Sequence, residues 1–84
     1  MSSIAEVKAT LASIDQDMPR RELQAVAATF DELAQRLSLV MCNTASQDML
    51  GAVALLKHLD ESCMLMHRTM GDVVRTVDSY AETL

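Results

Sequence analysis

From Ala45 to Leu84 apolar residues return at alternating steps of four and three: Ala45, Met49, Ala52, Leu56, Leu59, Cys63, Met66, Met70, Val73, Val77, Tyr80 and Leu84. An α-helix turns once in 3.6 residues, so such a series stays on one side of it as a continuous seam. The pattern predicts a helix from about residue 45 to about residue 82, roughly 55 Å long. The first half carries two shorter stripes: Ile4, Val7, Leu11, Ile14 and Met18, then Leu23, Val26, Phe30, Leu33, Leu37 and Val40. Between Met18 and Leu23 the next equivalent position arrives two residues early, which on a straight helix would turn the second stripe by roughly half a turn. Pro19 stands inside this fault. It lacks a backbone donor and clashes with the preceding turn, so the chain is expected to kink or break at about residues 16 to 19.

The helix ends are marked as well. Ser3 with Glu6, and Thr44 with Gln47, are capping-box pairs at two helix starts, and Asn43 tolerates the left-handed conformation that closes a helix. Residues 41 to 47, MCNTASQ, therefore read as a tight turn between two arms of equal length. The predicted fold is all-α, one helical-hairpin domain over residues 1–84, with antiparallel arms and the first arm interrupted near Pro19.

One partner arm covers a seam and not a whole circumference. Leu50, Val53, Leu55, Met64, Leu65 and Val74 lie beside or outside the seam and form the candidate partner interface. Two arrangements would cover them. The short helix before Pro19 could fold back as a third helix, or two hairpins could pair into a four-helix bundle, as a homodimer or a heterodimer.

Composition narrows the picture. Half of the 84 residues are apolar, yet there are one Phe, one Tyr and no Trp, so any core is aliphatic. Two Gly and one Pro leave little turn material for a sheet. The net charge of −5 would repel nucleic acid. No apolar run approaches the length that spans a bilayer, so membrane insertion is not expected. Met1 to Glu6 has neither a basic start nor an apolar core, which predicts a cytoplasmic protein whose export would need a route reading no cleaved signal.

Candidate chemistry is sparse. Cys63 and His67 stand four apart on one helical face, half of a metal site by spacing, while His58 points elsewhere. Neither a metal nor another cofactor is expected. The methionines of the seam read as gap-filling thioethers. In a hairpin Cys42 and Cys63 would lie roughly 25 Å apart, too far for a disulfide within one chain. Asp60 and Glu61 are adjacent and diverge by about 100° on a helix, so they form no carboxylate pair. Glu32 with Arg36 and Arg68 with Asp72 have the spacing of surface ion pairs. With no phosphate loop and no nucleophile beside a base, the chain is not expected to be an enzyme.

The layout resembles the small helical hairpins of type VII secretion, the WXG-type proteins. The resemblance rests on chain size, equal arms, a turn near residue 43, and the terminal segments Ser3-Ile4-Ala5-Glu6-Val7-Lys8 and Val77-Asp78-Ser79-Tyr80-Ala81-Glu82-Thr83-Leu84. Where that family has Trp-X-Gly in the turn, this chain has Cys42-Asn43-Thr44, and Tyr80 is followed four residues later by Leu84 instead of an acid. The resemblance implies a small helper that pairs with a sister hairpin or with the helical N-terminal region of a larger effector. A cytoplasmic adaptor or toxin-neutralising subunit would show the same seam and the same acidic surface.

Overall fold

The computed structural model describes residues 3–41 and 46–84. They form three helices: α1 (Ile4–Asp17), α2 (Arg20–Met41) and α3 (Gln47–Glu82). Helix α1 opens on the expected capping box, with Ser3 Oγ accepting from the Glu6 N–H at 3.1 Å and Glu6 Oε2 accepting from the Ser3 N–H at 3.3 Å. Two orphan donors of the first turn are satisfied in this way. Helix α3 starts two residues later than the periodicity suggests. Its cap is Ser46, whose side chain accepts from the Met49 N–H. Cys42, Asn43, Thr44 and Ala45 lie outside the described residues, and with them the expected turn and its cap.

The break falls at Met18 and Pro19. Met18 is extended, with φ −65° and ψ 118°, as the residue before a proline prefers. The Pro19 carbonyl then accepts the Leu23 N–H at 3.1 Å, so the proline begins the first turn of α2, where its missing donor costs nothing. This is a full interruption and not a bend in one continuous helix.

Helices α2 and α3 pack side by side and antiparallel. Arg20 lies over Gly71, and Leu33, Leu37 and Val40 line one shallow depression with Leu56. Helix α1 packs on α3 and not on α2, with Asp15 against Asp78. It therefore extends the first arm along the C-terminal end of α3 and does not fold back as a third helix. The molecule measures 65 × 17 × 14 Å, with a radius of gyration of 19.5 Å. A compact chain of this length would have a radius near 12 Å.

The seam between the arms departs from the predicted one in a regular way. Leu56, Cys63, Met70 and Val77 of α3, and Leu84 just beyond it, are buried or half-buried, as the periodicity requires, whereas Met49 of the same series is exposed. The alternate members are each displaced by one residue: Val53, Asp60, His67, Val74 and Ala81 face the first arm. Leu59, Met66, Val73 and Tyr80 are exposed instead. Helix α2 repeats the shift, turning Ala27 and Ala34 inward in place of Val26 and Leu33. The physical reason is size. Two helices meet along a narrow strip, and small residues at its centre let the backbones approach while Leu23, Phe30 and Leu37 close over the sides.

Candidate functional site

The consequence of that rotation is an apolar face. At 100° per residue, Val26, Leu33 and Val40 of α2 fall on the same side of the hairpin as Leu55, Leu59, Met66, Val73 and Tyr80 of α3. All eight are exposed, from 37% for Leu33 to 67% for Leu55. Arg20 over Gly71, and Ala27 and Asp31 sharing a groove with Asp60, Cys63 and His67, set the approximate register, in which Val26 lies near the level of Met66 and Leu33 near that of Leu59. The layers recur every seven residues in both arms, about 10 Å apart.

Charge is absent from the α3 side of this face between Ala52 and Tyr80, whereas Asp48 and, on α2, Glu22 and Arg36 border it. On α3 its two adjacent lines run Ala52, Leu55, Leu59, Ser62, Met66, Thr69, Val73, Thr76 and Tyr80 without a charged side chain. Arg36 stands at its edge beside Leu33 and Val40. The threonine hydroxyls at its border are already satisfied by their own helix: Thr29 donates to the Ala25 carbonyl, Thr69 to Leu65 and Thr76 to Asp72, at 2.9 to 3.0 Å. Covering these three threonines would leave their hydroxyl donors paired.

The opposite face is mixed: Leu50 and Met64 are exposed on it. It carries a groove of about 500 Å³ lined by the polar Gln24, Asp31, Asp60, His67 and Arg68 and by the apolar Leu23, Ala27, Ala28 and Met64. Cys63 is buried with a free thiol at the floor of this groove, and His67 is half-buried in the seam. Among the described residues no three of His, Cys, Asp and Glu stand close enough to hold a metal. No described helix is long and apolar enough to cross a membrane. Asp72 pairs with Arg75, three residues on, and not with Arg68.

The six candidate interface residues divide between these surfaces. Val53 is buried and Val74 half-buried in the seam between the arms. Leu55 belongs to the apolar face. Leu50, Met64 and Leu65 are exposed, and by helical geometry they point to the groove side or the back of α3. The residues overlooked in the sequence are Leu59, Met66, Val73 and Tyr80, assigned there to the seam. The signal that marks them is the second uncharged line, Leu55, Ser62, Thr69 and Thr76, running beside them.

A second site was also missed. Asp15 and Asp78 meet where α1 rests on α3, and Asp15 Oδ1 is buried with no donor. Two carboxylates can share a hydrogen bond only if one keeps its proton. That bond, then burial, then the like charge of Asp78 hold the Asp15 carboxyl above its ordinary range.

No protein-family model, curated protein or solved structure matches the chain. The functional reading therefore rests on the faces themselves. One carries charge and a shallow groove. The other carries aliphatic layers at a coiled-coil period with nothing over them.

Proposed function

We propose that this chain is a non-catalytic protein–protein interaction hairpin. Its α2/α3 apolar face takes a helical partner and completes a four-helix bundle, in the manner of the small type VII secretion hairpins that its layout resembles. The partner is another helical hairpin, or the helical N-terminal region of a larger effector. The observation that carries this reading is the exposed row of layers, Val26 with Met66 and Leu33 with Leu59. A contiguous apolar surface with a seven-residue repeat is what a facing helix pair recognises by inserting its own side chains between the layers. No large apolar side chain is fully buried among the described residues. A hairpin in this condition gains most of its core by docking.

Position-specific photo-cross-linking in the native host tests the reading. A photoreactive side chain at Met66 should capture a helical segment of a protein, whereas one at Glu61, on the back of α3, should not. Equal capture at both positions, or none at Met66, would refute a docking role for this face.

A further inference from the structure

We infer that the occupant of this face is a second copy of the same chain, its α3 lying antiparallel across α3 of the first about a twofold axis at Met66; this rests on the reading that the face is a docking surface. Three observations lead to it. The first is area. A compact protein of 9.2 kDa exposes about 4,900 Å², whereas this chain exposes 6404 Å². The surplus is about 1,500 Å², nearly twice the roughly 800 Å² that each partner loses in a standard interface. Helix α1 lies along α3 and leaves the surplus uncovered.

The second is charge. The chain carries a net charge of −5, so two copies repel unless the acids stay away from their contact. Between Ala52 and Tyr80 the central α3 row meets that condition: Asp60, Glu61, Asp72 and Asp78 lie off it, while Asp48 stands beyond its end and Glu22 of α2 at its border. A basic partner would call for an acidic docking surface, and the α3 row from Ala52 to Tyr80 carries no acid.

The third is the order of residue sizes. The row Ala52, Leu59, Met66, Val73, Tyr80 is centred on Met66. Turning a second copy about that point sets Met66 against Met66, Leu59 against Val73, and the smallest member, Ala52, against the largest, Tyr80. Large against small in successive layers is what close packing between two helices requires. The same rotation makes neighbouring helices antiparallel throughout, which also opposes their dipoles favourably.

Sedimentation equilibrium of the purified full chain, together with oxidation of a cysteine variant, tests this. The wild type should show twice the mass of the 9.2 kDa chain at micromolar concentration. Leu59→Glu should weaken association by at least about 100-fold, since it buries an unpaired carboxylate. Met64→Glu, on the groove side, should leave association unchanged. In a Cys42→Ser background, Met66→Cys should give a disulfide-linked pair under a mild oxidant and Met64→Cys should not, because only the first brings two Cα atoms within about 7 Å. The cysteine variants keep the face apolar, so they report even if the glutamate variant unfolds. A strict monomer at 200 μM that is still captured by another protein from Met66 would remove the second copy and leave the docking face standing. A pair that ignores Leu59→Glu, or fails to cross-link through Met66→Cys, would overturn the arrangement.

Discussion

At the scale of single residues, two positions can be tested against the packing around them. Gly71 is buried in mid-helix, where glycine is about 1 kcal/mol worse than alanine. A Cβ there would meet the guanidinium ends of Arg20 at 3.6 Å and Arg75 at 3.7 Å, both ordinary contacts with flexible groups. Gly71→Ala should therefore raise stability by about 0.5–1 kcal/mol in urea unfolding. The Asp15 and Asp78 pair makes a second prediction, through its proton. Asp15 holds its proton more tightly when folded than when unfolded. Its contribution is complete below the ordinary carboxylate range and is lost as pH rises through the folded value. Lowering the pH from neutral into the carboxylate range should thus raise the unfolding temperature of α1. Asp15→Asn supplies a permanent donor to Asp78, so it should stabilise the neutral protein and flatten this dependence. A destabilising Asp15→Asn would show that no proton is shared.

At the scale of the elements, the break between α1 and α2 follows from phase. Val7, Leu11, Asp15 and Met18 face α3 from α1, and Leu23, Ala27, Phe30 and Ala34 face it from α2. On one continuous helix these two sets would point roughly a third of a turn apart. The interruption lets both face the same partner. Pro19→Ala should accordingly leave Met18 extended, seen as an unchanged Cα chemical shift, because continuity would pull α1 off α3. A helical shift at Met18 would mean that proline chemistry alone makes the break. The Ser3 capping box, the interruption and the two-arm layout were all legible in the sequence, because each depends on local backbone chemistry. The facing of the arms was legible only in half. Leu56, Cys63, Met70 and Val77 were read correctly, since they lie near the centre of a stripe two residues wide. Their alternates were not: hydrophobicity favours Leu59 and Met66, whereas the close approach of two helices favours small residues such as Ala27 and Ala34, and lets Asp60 and His67 keep their polar tips at the rim. The carboxylate pair was hidden because it depends on the register of α1 against α3, which no local pattern encodes.

At the scale of the whole molecule, the rotated seam separates two classes of substitution. Leu56→Asp places a charge between the arms and should abolish most of the helical circular dichroism. Met66→Asp alters only the outer face, so the hairpin should keep its helicity and lose its partner. If both variants unfold alike, Met66 belongs to the seam after all. The long, thin shape has a further consequence. With Ala27, Ala34, Val53 and Cys63 as the buried apolar residues of the described chain, the isolated hairpin has too small a core for robust stability. Its fold should depend on what covers the stripe from Ala52 to Tyr80. The most direct measurement is the thermal unfolding midpoint followed from about 2 to about 200 μM, since association raises the midpoint by mass action. A core completed by a second molecule predicts a midpoint that climbs by several degrees across this range, and a midpoint independent of concentration would contradict it.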